Sequence, residues 1–330
     1  MTNTKKKYIV AIDGPVAAGK TSIAKSVANT LGCMYLDTGA IFRAFAYYII
    51  SRGLTNKIEA FERDKTKNMN ALAYQIARSI HVAYEYGTMQ VYIDQEDITS
   101  KLRSNDVSDM ASRIGVIPAI RTQTLSIEQR IARNSEVGIV AEGRDIGTVV
   151  FPKAEIKIFL TASVETRANR RFQEHPEDFE DIQKAIDEIK ARDYRDSNRA
   201  TAPLKQADDA ILVDNTNMDF NQTREAIIQI VKNKTLPVWE YTTYRSREGW
   251  KLTVDENTTV FLRQDLNEYI GDLLIGNTRF KIASHRMPSS AADDMEAIKK
   301  SMLKALLAQT RDLWKLLNST KKSMQNLVEL

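Results

Sequence analysis

Residues 12–25 read IDGPVAAGKTSIAK, a glycine-flanked loop between an apolar run and a helix-like one. Its core, Gly14-Pro15-Val16-Ala17-Ala18-Gly19-Lys20-Thr21, satisfies G-x-x-x-x-G-K-[ST]. Glycines at both ends let backbone N–H groups turn inward on phosphate oxygens. The helix that follows aims the positive end of its dipole at them, the lysine supplies a mobile charge, and the threonine can ligate Mg2+. With Gly at ~7% of residues, a random chain of this length would match roughly once in a hundred. A nucleotide phosphate cradle is the reading that follows, but the phosphoryl acceptor stays open, because hydrolases, kinases and switches share this loop.

Working outward, YIVAI at 8–12 is a short apolar run rich in β-branched residues, as expected of a strand buried on both faces. From Thr21 to Leu31 the apolar positions 23, 24, 27, 28 and 31 keep helical spacing up to Gly32. The alternation recurs with a short strand around 33–36 and a helix through AIFRAFAYYIISRG (40–53). Strands follow at GIVAEGR (138–144), AEIKIFLTA (154–162) and DAILVDNT (209–216), the last before a closing helix. Strands alternating with helices predict an α/β fold with a parallel sheet covered on both faces. Two insertions break the rhythm: a stretch within 78–103 that alternates around Gly87 as a small antiparallel hairpin would, and an arginine-dense segment at 163–200. From about 236 the character changes. LPVWEYTTYRSREGWKLTVDENTTVFLRQ (236–264) reads as short strands and 291–330 as one or two helices, a small α+β extension with its boundary near Lys234–Pro237.

Composition narrows the class. The chain has 330 residues, room for two domains, and 43% hydrophobic with 27% charged residues is ordinary for a globular protein. A net charge of +4 gives no ground for nucleic-acid binding. Cys33 is the single cysteine, so no intrachain disulfide is available and a reducing compartment is expected. The lysines before YIVAI resemble a leader, but that apolar run is shorter than the ~7–15 residues of a signal core. No stretch approaches the ~20 apolar residues of a membrane helix, so a soluble cytoplasmic protein without membrane partners is expected. His81, His175 and His285 lie far apart and suggest no metal site.

An anionic acceptor must be held against repulsion, and arginine forks do this best. Arginine clusters occur in LDTGAIFR (36–43), EGRDIGTVVFP (142–152), ETRANRR (165–171) and ARDYRDSNRATAPL (191–204). Such clusters are usually solvated helix faces. EGRDIG, however, follows directly on an apolar strand, at the carboxyl edge of the expected sheet where ligands bind in open α/β folds.

With these motifs the chain resembles the bacterial cytidylate kinases through residues 8–232: IDGPVAAGKT, LDTGAIFR, MASRIGVIPAIR, EGRDIGTVVFP and RDYRDSNRATAPL stand in that family's order. The resemblance implies a P-loop nucleoside monophosphate kinase fold over 1–235, with a monophosphate-binding insert at about 40–125 and a lid at about 163–200. It implies direct in-line transfer of the γ-phosphoryl of ATP to CMP or dCMP with Mg2+. Gly14, Pro15, Val16, Ala17, Ala18, Gly19, Lys20, Thr21 and Ser22 then cradle ATP with Mg2+ on Thr21. Arg167, Arg170 and Arg171 fall at the start of the lid that closes over ATP. Asp37, Thr38, Arg43, Arg144 and Arg199 fall around the CMP phosphate, Ser112, Arg121 and Asp145 at the cytosine edge, and Arg192 and Asp196 at the ribose. Lys20, Arg144, Arg170 and Arg199 are the implied catalytic cations. Glu142 is placed either to hold a water of the Mg2+ shell or as a plain strand-end carboxylate. Thr38 stands where many members have Ser and Glu142 where many have Asp, each keeping its functional group.

Residues 236–330 lie beyond the resemblance. The positions Ile298, Met302, Leu306, Leu313, Leu317, Met324 and Leu327 track a 3.6-residue period, with Ser290 and Asp293 as a capping box, which suggests a helix packed on a globular surface. With 14 basic and 12 acidic residues the extension does not favour nucleic acid; self-association or partner binding are the roles it leaves open. Two rival functions remain at this point: a kinase for another monophosphate such as UMP, and a nucleotide-sensing module without turnover that acts through the extension.

Overall fold

The computed structural model describes residues 8–85, 88–235, 239–244, 247–255, 258–265, 268–275 and 278–286. It divides into two compact units, one spanning Thr4–Val231 and one from Lys232 onward.

The first unit is built on a five-stranded sheet in the order β2-β6-β1-β7-β8. The strands are β1 (Ile9–Asp13), β2 (Met34–Asp37), β6 (Ile139–Gly143), β7 (Ile156–Thr161) and β8 (Ile211–Asp214), and every pairing is parallel. β1 is central, so Val10, Ala11 and Ile12 are fully buried. This is why the run has no polar alternation. On one face Val10 and Ile12 pack with Ile23, Ala24, Val27 and Ala28 of α1 (Lys20–Leu31) and with Ile227, Ile228 and Val231 of α9 (Phe220–Thr235). On the other, Ala11, Leu36 and Ala141 meet Ile41, Phe45 and Ile49 of α2 (Thr38–Ser51). The register sets Asp13 beside Gly143 and Asp37 beside Glu142, so the three sequence motifs emerge from one edge of the sheet.

Between β2 and β6 the chain builds α3 (Thr55–Arg63), α4 (Asn70–Ser79), a small sheet, α5 (Asn105–Ile114) and α6 (Pro118–Asn134). The expected hairpin is there. β3 (Ile80–Glu85) pairs antiparallel with β4 (Thr88–Ile93), Ile80 opposite Ile93. It is shorter than 78–103, because Asp94 turns the chain with φ 53 into the two-residue β5 (Glu96–Asp97) and a 3-10 turn at Thr99–Arg103 follows. Ile58, Ile76, Ile98, Ile114 and Ile120 join this insertion to the core under α2. The arginine-dense segment folds as a helical pair, α7 (Val164–Glu174) and α8 (Ile182–Asn198), sharing a small core of Ala168, Ala185 and Ile189 with Val16.

In the second unit β9 (Trp239–Tyr244), β10 (Arg247–Asp255), β11 (Thr258–Asp265), β12 (Glu268–Ile275) and β13 (Thr278–Arg286) form an antiparallel meander in chain order. Its register sets Trp239, Leu252, Val260, Leu273 and Phe280 in one cross-strand row. Val260 and Phe261, adjacent and therefore on opposite faces, are both buried. The strands expected at 236–264 thus extend to Arg286. The helices expected at 291–330, with the capping box at Ser290 and Asp293, lie outside the described residues. Among those described, no helix is long and apolar enough to cross a membrane.

Candidate active site

The loop after β1 is shaped by its glycines. A Cβ on Gly14 would stand 2.0 Å from the Leu160 carbonyl oxygen, so only glycine lets the loop leave β1 this close to β7. Gly19, at φ 84, turns the chain into α1 in the left-handed region. Lys20 begins that helix and is buried, its Nζ donating to the Pro15 carbonyl at 2.6 Å. Burial, reinforced by the nearby Arg144 guanidinium, pushes its pKa down to about 7. Asn215, after β8, donates from Nδ2 to the Ala18 carbonyl at 3.1 Å and accepts from Arg170 Nη1 at 3.1 Å.

Arg167 stands behind this loop. Only 4% exposed, it donates from Nη1 to the Val16 carbonyl at 3.0 Å and from Nε to the Ala162 carbonyl at 2.9 Å, and it pairs with Asp193 at 2.7 Å. Asp193 in turn accepts from the Val16 N–H at 3.4 Å.

Where α1 begins, Thr21 Oγ1 donates to Glu142 Oε1 at 2.7 Å, and the Tyr35 hydroxyl donates to the same oxygen at 3.3 Å. Thr38 Oγ1 donates to the Glu142 carbonyl at 2.9 Å. Burial and the neighbouring Asp37 raise the Glu142 carboxyl above its ordinary range, although Lys20 works against them. Asp13 accepts from the Ile146 and Gly147 N–H groups, each at 2.7 Å. Burial nonetheless lifts it to about 6. One hydroxyl beside one crowded buried carboxylate suits Mg2+, which keeps several waters and leans on substrate phosphates. Among the described residues no group of three or more His, Cys, Asp or Glu could cage a metal by protein ligands alone.

Across the same cleft, Asp37 caps α2 by accepting from the Ala40 N–H at 2.9 Å and takes Arg43 Nη2 at 2.7 Å. Arg121 donates to Asp145 and, through Nη1, to the Gly115 carbonyl at 3.0 Å, and its guanidinium lies 5.5 Å over the Phe42 ring. Arg199 Nη2 approaches Asp145 at 3.6 Å, and Arg144 Nε donates to Asp196 at 2.9 Å. Burial opposes charge on Asp196, yet the Arg144, Arg199 and Arg192 guanidiniums hold its carboxyl below the usual range. Arg192 is crowded instead: burial and then Arg144 push it down to about 10. Nine cationic side chains line the cleft against five carboxylates, an excess of positive charge that suits an anion.

All of this surrounds one cleft of about 560 Å3. Of the residues expected from sequence, Gly14, Pro15, Ala18 and Arg167 do not line it, and all the others do. The first three shape the loop from beneath, and Arg167 braces it. Sequence reasoning missed Asp13, Tyr35, Phe42, Arg103 and Asp193. Phe42 could have been found, since it precedes Arg43 in a quoted motif; Asp193 and Asp13 look like a surface acid and a strand end until their partners far along the chain are known.

The cytidylate kinase family model matches residues 10–233. The chain belongs to the cytidylate kinase family. A cytidylate kinase of Streptococcus pyogenes serotype M5 is 40% identical over 234 residues, which is 69% of this chain and 96% of that one. A cytidylate kinase of Solibacter usitatus is 41% identical over 240 residues, 71% of this chain and 97% of that one. Among solved structures, the chain is similar to shikimate kinase from Bacteroides thetaiotaomicron, with 13% identity and a TM-score of 0.33 over 68% of this chain and 96% of that one. The cytidylate kinase match thus ends close to where the second unit begins.

Proposed function

We propose that the chain transfers the γ-phosphoryl group of ATP to CMP and dCMP, giving CDP and dCDP, and that Thr4–Val231 holds the whole catalytic apparatus. One observation carries this reading beyond family membership. At the end of β6 two consecutive residues serve opposite sides of the cleft, Arg144 beside the buried Lys20 and Asp145 against Arg121. Donor cradle and base-reading pocket therefore meet at a single peptide unit.

Phosphoryl transfer is mainly positioning and electrostatic stabilisation. Thr21 would hold Mg2+ and Glu142 one of its waters; the ion, when bound, would supply charge neutralisation on the donor phosphates. Lys20, Arg144, Arg170 and Arg199 carry positive charge toward the transferring group. The nucleophile is already a phosphate dianion, so no side chain has to remove a proton. Arg43 and Thr38 hold the acceptor phosphate, Arg192 and Asp196 the ribose. The α7–α8 pair acts as a lid that excludes water and so prevents ATP hydrolysis. Ser112, Arg121 and Asp145 read the cytosine edge: a carboxylate accepts from the exocyclic amine of cytosine and repels the uracil carbonyl. The site of action is the cytoplasm, and the second unit serves self-association or regulation.

ADP formation measured with CMP, dCMP and UMP as acceptors tests the proposal. Turnover with CMP and dCMP well above that with UMP is expected; preference for UMP, or ATP binding without turnover, overturns it.

A further inference from the structure

Val16, in the loop after β1, is gripped by the helical pair through both its backbone groups and its side chain. Its carbonyl accepts from Arg167 Nη1 at 3.0 Å, its N–H donates to Asp193 Oδ1 at 3.4 Å, and its side chain packs with Ala168, Ala185 and Ile189. Arg167 of α7 and Asp193 of α8 close the clasp with their own ion pair at 2.7 Å. The next loop residue, Ala17, sits at φ 57, in the left-handed region that costs any residue with a Cβ. Such a conformation persists only where its surroundings over-determine it, and the clasp on Val16 supplies that constraint.

Asp193 does not line the cleft, but its neighbours on α8 do. Arg192 and Asp196, four residues apart and therefore on one face of the helix, both line it. Asp193, about 100° around the axis from Arg192, is turned to the loop. Asp196 is fixed in place by Arg144 Nε at 2.9 Å. Successive positions of one helix therefore serve different ends of the cleft, Asp193 the phosphate loop and Arg192 the opposite wall. Within a hydrogen-bonded helix such neighbours move together, so a shift of the loop is passed to Arg192 and Asp196.

We infer that Asp193 is a positioning residue that couples the two halves of the cleft: its grip on Val16 turns occupancy of the phosphate loop into alignment of Arg192 and Asp196, so that ATP and CMP bind more tightly together than alone. The inference rests on the assignment of the loop to ATP and of Arg192 and Asp196 to CMP. Coupling of this kind is reciprocal, CMP tightening ATP by the same factor. The end of β6, where Arg144 and Asp145 adjoin, is the competing route, and coupling through it alone would not depend on Asp193.

Calorimetric titration of the full chain with CMP, alone and with saturating Mg2+ and β,γ-methylene-ATP, measures the coupling as the ratio of the two CMP dissociation constants. Saturation is checked for each protein by its own titration. In wild type CMP is expected to bind about fivefold or more tightly with the ATP analogue present. Asp193→Asn keeps the side chain's size and an acceptor oxygen but removes the ion pair, and its ratio should fall to within about twofold of one. Asp193→Glu, which restores the charge, should recover part of the ratio. If the Asn variant alone does not fold, Arg167→Gln with Asp193→Asn, which leaves no buried charge unpaired, carries the same measurement. A merely structural role would move both CMP constants together and lower Tm, leaving the ratio at its wild-type value, and that result overturns the assignment of Asp193. A wild-type ratio of one, with both nucleotides bound, overturns the coupling and leaves the kinase reading intact. A wild-type chain that binds the ATP analogue but no CMP overturns both.

Discussion

Thr21 and Glu142, 121 residues apart in sequence, meet through a 2.7 Å hydrogen bond at the head of α1. The pair links the phosphate loop to the strand that carries the acceptor motif. Glu142→Gln keeps the bond to Thr21 but removes the charge that we propose holds a Mg2+ water. We expect kcat to fall by about 10–100-fold and the Mg2+ concentration for half-maximal rate to rise. Steady-state rates across a Mg2+ series check this. A change in KM for CMP alone would assign Glu142 to the acceptor instead.

Asp145 is held between Arg121 and Arg199 at the inner end of the cleft. Asp145→Ala should lower kcat/KM for CMP by about 100-fold while the value for UMP falls far less, since an unmatched polar edge is what such a site rejects. Affinity for ATP should stay within about threefold, by the same argument that only the base-reading edge is altered. An unchanged CMP to UMP ratio sinks the assignment.

Arg167 tests the difference between touching a ligand and supporting what touches it. Arg167→Ala removes two hydrogen bonds to the carbonyls of Val16 and Ala162 and leaves Asp193 unpaired. Breaking such a pair from one side costs about 3 kcal/mol. A lowered Tm in the absence of nucleotide, together with weaker ATP binding, is expected. Weaker ATP binding with an unchanged Tm would place the guanidinium on ATP itself.

Glu128 on α6 is 1% exposed, and one carboxyl oxygen is buried without a partner. Burial, then the Asp145 charge, raise it to about 8, against the opposing pull of Arg121. The folded chain therefore holds a proton that the unfolded chain releases near 4.5, and this group's contribution to stability falls as pH rises from about 4.5 to 8. Glu128→Gln should abolish that slope and stabilise the protein above pH 8 by an amount on the order of a few kcal/mol. Urea midpoints at pH 5 and pH 9 for both proteins give the answer; parallel shifts in the two would refute it.

A chain cut near Thr235 should keep kcat and both KM values within about threefold, because every residue assigned to the cleft lies in Thr4–Val231. This use of a unit with its own core follows ordinary domain behaviour. A tenfold loss with intact folding would show that the second unit acts on catalysis.

The parts of the fold legible in the sequence were those where a local pattern had one physical cause. β1, the loop and α1 are such a case: continuous apolar burial, two glycines with steric reasons, then apolar residues at helical spacing. β6 was legible because its apolar run stops at a charge cluster. α3 to α5 were not, since short helices with one buried stripe leave few apolar positions to count, as Ile58 and Phe61 in α3 show. Strands β12 and β13 were missed for a related reason: β12 ends in the unbroken apolar run Leu273-Leu274-Ile275 and the pairing of β13 passes over Ile282, so neither keeps the two-residue alternation that announces a strand. In the site, the motifs marked which arginines converge, but not which line the cleft. Arg167 and Arg170 sit three residues apart in one cluster, and only the fold sends the first beneath the loop and the second to the cleft wall, where it too donates to a backbone carbonyl, that of Asn215, at 2.9 Å.

The carboxylate of Asp13 gathers the N–H groups of Ile146 and Gly147 at 2.7 Å each, fastening the end of β1 to the turn after β6. That clasp leaves the two halves of the cleft floor unable to slide past each other. For an engineer seeking a new acceptor, the backbone of residues 13–21 and 142–147 is then one rigid part to be kept whole. The freedom to retune lies in side chains that line the cleft, at Phe42, Ser112, Arg121 and Asp145, which can be exchanged without moving that frame.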